Sequence, residues 1–439
     1  MAQTGFPLPP ELISEIFSWL PSTPLNSAAP PAALPAALLL PQVCREWRAI
    51  SQTTPSLWRC LAVHLLDVVS EFRNAGLRTT LKAWLEPRRT NELEIELVCA
   101  AWDIPSAFTM EMVLIGAAAR MRSLTLKTTR FGLRSLDVLR IELPSLERFS
   151  AHARNTGDPL SLNFEYLKNS PQLKDVALDS NLFVDPEATF IPWSALTRLS
   201  LQLHPTAAAA ILRLTPLLEE FTLAFPSERW SASEDAPLPI LLRHLRKLDI
   251  HRCNGTQILN YLRCPTLRDL VVMVPYGAEH VDNLLGFLTR ADGDCALKRF
   301  KLHYAPQNST DDLRSVLGAP QMAALEELLF TCTFFPSLVA VLSSDSRDAT
   351  GTGILPSLKS LEITTDAFTI PDLHPVIAIL DQRRGMESFR LIFAAKLART
   401  ELSAEVKAGL TGLKEKGMEV LVGVLEMYRI GKIGKVLFS

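Results

Sequence analysis

The chain has 439 residues, 45 Lys and Arg against 47 Asp and Glu, and a formal net charge of −2. That length leaves room for a small module and one large domain. The near-neutral balance implies no basic face for the molecule as a whole, so nucleic acid is not expected as the main ligand.

The opening MAQTGFPLPP carries neither a positive leader nor an apolar core, so a secretory signal is not expected and the chain reads as intracellular, in cytoplasm or nucleus. In LPPELISEIFSWLP (Leu8–Pro21), Leu12, Ile16, Trp19 and Leu20 recur at three- and four-residue intervals and predict one apolar stripe on a helix. Pro9 and Pro10 suit its start, Glu11 suits the positive helix end, and Pro21 stops it. Ser22–Pro41 is Pro/Ala-rich and predicts an irregular loop. Its apolar run Ala32–Leu40 is too short to span a bilayer and is broken by Pro35, so no membrane is expected. Beyond it, Val43, Trp47 and Ile50 predict a second stripe, with Arg45, Glu46 and Arg48 turned outward. Pro55 can start a third short helix carrying Leu57, Trp58 and Leu61. Helices this short cannot bury their own apolar faces, so a partner or the following domain must cover them.

The ordered run Leu-Pro, Ile-Phe, Val-Cys-x-x-Trp and Leu-Trp resembles the F-box. That family's helical module docks on the Skp-type adaptor of SCF (Skp–cullin–F-box) ubiquitin ligases. The matching residues are Leu8, Pro9, Leu12, Ile16, Phe17 and Leu20, then Val43, Cys44, Trp47, Leu57 and Trp58. The resemblance covers residues 1–64 and implies that these residues bind the adaptor and, through it, a cullin. The Pro/Ala-rich stretch is longer than the turn usual between such helices. The plainer alternative is a three-helix cap on the next domain, with no partner.

His64–Thr90 follows, where Leu65, Val69 and Phe72, then Leu77, Leu81 and Leu85, predict a helical linker over residues 65–90 packed against both neighbours. Trp84-Leu85 ahead of the strand-like ELEIEL (Glu92–Leu97) resembles the layout of the large F-box families of mushroom-forming fungi.

From about residue 91 one unit repeats, of the form apolar-x-x-apolar-x-apolar. It starts at Met121, Leu146, Leu173, Leu196, Leu218, Leu245, Leu267, Leu297, Leu325, Leu358 and Met386. Pro144, Pro171, Pro216, Pro265 and Pro356 stand two residues before the first apolar position, where they end a helix and turn the chain toward extended geometry. Helix-period segments lie between, as at 133–140, 206–214, 280–288 and 375–384. Longer polar inserts around Pro226–Pro239 and Ser343–Gly353 predict loops. The pattern resembles the leucine-rich repeat. The expected fold class is therefore α/β: a small helical module, then over 91–439 a leucine-rich-repeat-like solenoid with a parallel curved sheet and outer helices.

A side-chain period of two separates buried from outward positions on each strand. One outward set is Thr125, Ser150, Ala177, Ser200, Thr222, Asp249, Val271, Lys301, Leu329, Glu362 and Arg390. Two residues further along come Lys127, His152, Asp179, Gln202, Ala224, His251, Met273, His303, Thr331, Thr364 and Ile392. Asp249, His251, Val271, Met273, Lys301, His303, Glu362 and Arg390 are the candidate face for a target protein, with an apolar centre and charged surroundings.

The motifs of catalysis are missing from the sequence: no G-x-S-x-G, G-x-x-x-x-G-K-[ST], G-x-G-x-x-G or H-E-x-x-H occurs. Seven cysteines form no C-x-x-C pair, and His251 with Cys253 alone does not make a zinc site, so neither metal nor cofactor is expected. The expectation is a non-enzymatic substrate receptor of an SCF-type ligase that holds an unknown target by proximity. The competing expectation is a non-degradative interaction scaffold in which the F-box is structural.

Overall fold

The computed structural model describes residues 8–20, 25–26, 35–65, 77, 79–82, 84–85, 92–100, 104–137, 139, 141–154, 160–178, 182–183, 185–203, 205–224, 239–251, 255–274, 277–290, 295–304, 309–332, 335–343, 354–365, 373–383, 385–394, 402–425 and 433–438. The inserts at 226–239 and 343–353 fall almost entirely outside these residues, as do Val69, Phe72, Asp179 and Cys253. The chain forms two compact units, Met1–Leu203 and His204–Ser439.

In the first unit four short helices come first: α1 (Pro10–Ser18), α2 (Ala36–Val43), α3 (Arg45–Thr53) and α4 (Ser56–Arg59). The chain then enters a parallel sheet whose strands follow chain order: Cys60–Leu65, Leu93–Cys99, Met121–Thr129, Arg148–Arg154, Asp175–Leu178 and Arg198–Leu201. Leu25–Asn26 pairs in parallel with Val63 and His64 on the outer side of the first of these.

Three sequence expectations are corrected here. The stretch Ser22–Pro41 is not loop throughout, because Ala36–Val43 is helical with Pro41 inside it. Val43 and Trp47 do not share one helix: Cys44 is extended (φ −156°, ψ 174°), ending α2 and capping α3 through its sulfur, which accepts from the Trp47 N–H. Leu65 lies on a strand, not a linker helix. Strand Cys60–Leu65 pairs residue by residue with Glu94–Cys99, so the sheet begins inside the stretch read as helical module.

In the second unit, among the described residues, eight parallel strands of one sheet again follow chain order: Glu220–Ala224, Lys247–His251, Asp269–Val274, Arg299–Tyr304, Glu327–Cys332, Ser360–Thr365, Ser388–Ala394 and Glu419–Leu425. Ile433–Phe438 adds an antiparallel strand at the end. Parallel neighbours need a crossover, and most are helices: Ala278–Arg290, Thr310–Leu317, Phe335–Ser343, His374–Gln382 and Ala404–Glu415, each packed on the next.

The repeat motif has a definite local structure. Its leading leucine is buried before the strand begins, as at Leu146, Leu173, Leu218 and Leu267. Each such leucine donates its N–H to the carbonyl three residues back: Leu146 to Leu143 at 3.1 Å, Leu173 to Ser170 at 3.1 Å, Leu267 to Cys264 at 3.3 Å. The intervening prolines therefore occupy the second position of a tight turn, where their fixed φ is already correct. Before the strand at Glu419, where no proline stands, glycine does this work. Gly417 (φ +91°) closes helix Ala404–Glu415, with its N–H bonded to Lys414 and that of Met418 to Leu413, and the next strand follows at once.

Candidate functional site

Helix α1 carries two apolar faces. Ile13 and Phe17 point inward and form a small core with Leu40 of α2 and Ile50 of α3, against which Trp47 and Leu57 pack. Phe17 meets Trp47 edge to face at 5.2 Å. Polar bonds fix the helix directions. The Ser14 and Thr54 hydroxyls are 2.9 Å apart, Thr54 donates to the Ile50 carbonyl at 2.8 Å, and the Trp58 indole donates to the Ser51 carbonyl at 2.8 Å. The Trp84 indole donates to the Trp58 carbonyl at 3.1 Å, and the two rings stand edge to face at 5.0 Å. Leu81, Trp84 and Leu85 are buried, so the segment between strands Cys60–Leu65 and Leu93–Cys99 packs on the last helix of the module.

The other face of α1 has no cover among the described residues. Leu12 is 51% exposed, Ile16 44%, Trp19 73% and Leu20 39%, the stripe predicted from spacing. On α2, Leu39 and Val43 stand one turn apart and are also exposed, Val43 at 61%. Isolated exposed leucines are ordinary, but a stripe of four large apolar side chains along one short helix and the turn that ends it leaves water against a surface that burial would stabilise.

The predicted adaptor-binding residues separate by burial. Leu8, Pro9, Leu12, Ile16, Leu20, Val43 and Cys44 are exposed, and Trp47 and Leu57 are half-buried. Phe17 and Trp58, at 2% and 4% exposed, are core residues and present no surface to a partner. Trp19 and Leu39 were missed as site residues. The i, i+3 and i, i+4 spacing from Ile16 and Val43 was the available signal.

A second surface is the sheet face of the second unit. Thr222, Asp249, Val271, Lys301, Leu329, Glu362 and Arg390 stand side by side in register, as do Met273, His303, Thr331, Thr364 and Ile392. Leu248 and Ile250 on either side of Asp249 are fully buried, as the alternation implies, whereas Ile392, expected outward, is buried. His251 Nε2 lies 2.9 Å from Asp249 Oδ1. His303 is held below the ordinary histidine range, first by burial, then by the charges of Lys301 and His251, with Asp249 opposing. Arg390 reaches Glu419 at 3.3 Å. The structure thus brings all eight candidate target-face residues onto one sheet face. Among the described residues no cluster of three or more His, Cys, Asp or Glu could hold a metal.

A family model described as F-box-like matches residues 7–64. The helical module is an F-box-like domain. Its match ends within strand Cys60–Leu65, at the junction with the sheet. No curated protein matches the chain in sequence. Among the described residues no helix is long and apolar enough to cross a membrane.

Proposed function

We propose that this chain is a substrate-receptor subunit of an SCF-type ubiquitin ligase. The uncovered stripe Leu12–Ile16–Trp19–Leu20 on an F-box-like domain carries the reading. The domain's own core is already filled by Ile13, Phe17, Leu40 and Ile50, so the stripe is surplus to folding and available to an adaptor helix. Leu8, Pro9, Val43 and Cys44 extend it, and a Skp-type adaptor bound there would connect the chain to a cullin.

The repeats form a leucine-rich-repeat-like solenoid in this reading, and the face bearing Asp249, His251, Val271, Met273, Lys301, His303, Glu362 and Arg390 holds the target protein. The chain itself contributes proximity, and the chemistry of ubiquitin transfer belongs to other subunits. Co-expression of the full chain with a Skp-type adaptor tests the proposal. Equimolar co-purification is expected, and well-folded chain that emerges without adaptor would leave the F-box-like domain with a structural role only.

A further inference from the structure

A groove of about 610 Å³ runs across the starts of five consecutive strands of the second unit, apart from the sheet face described above. Its charge changes strand by strand. The first strand brings Glu219 and Glu220 to it, and the fifth brings Glu326 and Glu327. Between them the second strand brings Arg246 and Lys247, the third Arg268 and Asp269, the fourth Lys298 and Arg299. A repeating backbone pattern fixes this order. The N–H groups of Arg246 and Lys247 both bond the Glu219 carbonyl at 2.8 and 3.1 Å, and those of Arg268 and Asp269 both bond the Arg246 carbonyl at 2.9 Å.

Internal pairing consumes part of the charge. Arg299 Nε donates to Asp269 at 2.7 Å, and Lys298 pairs with Glu326. Arg246, Lys247 and Arg268 are left on adjoining strands without an acidic side chain in ion-pair contact among the described residues. Arg246 and Arg268 are exposed and Lys247 half-exposed.

We propose that this groove binds a short acidic segment of a protein, laid across the strand starts with its anionic side chains on Arg246, Lys247 and Arg268. Strand spacing sets its length. The unpaired cations stand on two adjoining strands, one interval or about 5 Å apart, and the flanking acidic pairs stand four intervals apart, about 19 Å. An extended chain rises about 3.3 Å per residue, so about three acidic residues match the cations and a run beyond about five meets Glu219–Glu220 or Glu326–Glu327. The same limit works against a nucleic acid, whose charge continues along its length. Carboxylates and phosphoserines supply the same anionic chemistry. The inference stands independently of adaptor binding at the other end of the chain.

Fluorescence anisotropy with the full chain tests it. The probes are a labelled Gly/Ser peptide carrying three consecutive Glu, its triple-Gln counterpart, a three-phosphoserine version, a twelve-residue poly-Glu peptide and a single-stranded RNA. Binding of the Glu or phosphoserine peptide, weakening steeply with salt, is expected. The triple-Gln peptide should not bind, and Arg246→Gln/Lys247→Gln/Arg268→Gln should lose about tenfold or more in affinity, a ΔΔG of about 1.4 kcal/mol or more. Lys407→Gln, exposed on helix Ala404–Glu415, should leave binding unchanged. Should the triple variant lose its folded circular dichroism signal, Arg246→Gln and Arg268→Gln singly serve, each with a smaller loss. The proposal is overturned if triple-Gln binds equally, if the groove variants bind as wild type does, or if poly-Glu or RNA binds more tightly than the short peptides.

Discussion

Arg59, the last residue of α4, donates from Nη2 to Glu94 Oε1 at 2.8 Å. Arg148, two strands further into the sheet, donates to the same oxygen at 2.7 Å. One carboxylate therefore joins the F-box-like domain to the sheet of the first unit, alongside the Trp58–Trp84 contact.

Partial burial by itself would raise the Glu94 carboxyl, but the bonds and charges of Arg59 and Arg148 outweigh it and hold the group below the usual range. A carboxylate with a depressed folded value stabilises fully above its unfolded value, about 4.3, and that stability is lost as pH falls through the folded one. Glu94→Gln should therefore cost about 1 kcal/mol at neutral pH, given its partly exposed partners. Urea unfolding of both proteins across pH should show the gap closing in acid. A gap unchanged from pH 7 to pH 3 would remove this role.

Phe17 and Ile16 are neighbours in sequence with opposite predicted effects. Phe17→Ala opens a cavity between α1 and Trp47 and should destabilise by about 3–5 kcal/mol. Ile16→Ala trims an exposed side chain and should stay within about 0.5 kcal/mol. Hydrogen exchange over residues 10–18 reports both, and equal acceleration by the two variants would contradict the two-faced helix.

His303 gives a second pH dependence, of distinct origin. Its folded value is lowered by burial, Lys301 and His251, against Asp249, so the unfolded chain binds the proton more readily. Stability should fall as pH drops below the ordinary histidine value of about 6.5. His303→Gln should flatten that slope between about pH 6.5 and 5 in thermal melts. A slope unchanged by the substitution would assign it elsewhere.

Two glycines of one chain segment should respond with opposite signs. Gly417 has φ +91° and Gly412 lies inside helix Ala404–Glu415, and an added Cβ meets nothing within 4 Å at either. Gly417→Ala should cost about 1–2 kcal/mol through its backbone alone, whereas Gly412→Ala should gain about 0.5–1 kcal/mol. Paired denaturation curves decide it, and a loss at Gly412 would show that packing outweighs helix propensity there.

Much of the sheet was legible because the repeat specifies burial directly. In apolar-x-x-apolar-x-apolar the last two apolar positions point inward, which fixes the outward residues, and parallel pairing then aligns Asp249 with Val271 and Lys301. The strands that escaped notice lack that spacing. Glu419–Leu425 reads Met418-x-Val420-x-Val422, one residue short, because Gly417 replaces the proline turn. Cys60–Leu65 hides in a stretch whose Leu57-Trp58 reads as helix. On α1 the apolar spacing marks the stripe, whereas Ile13 lies on the inward face and Phe17, matched to the F-box as an adaptor contact, is buried. With apolar residues on both faces, periodicity does not say which face meets the core. The break at Cys44 depends on its extended backbone, which no side-chain pattern announces.

The most direct test of the account is titration calorimetry of a purified Skp-type adaptor into the full chain, wild type against Ile16→Glu/Val43→Glu. Both positions are exposed, so thermal melting should be nearly unchanged by the substitutions. Wild type is expected to bind one to one and the variant to lose about a hundredfold or more, about 2.7 kcal/mol, because two charges would be buried against an apolar partner. Equal affinity for the two proteins, or no adaptor binding by folded wild-type chain, would contradict it.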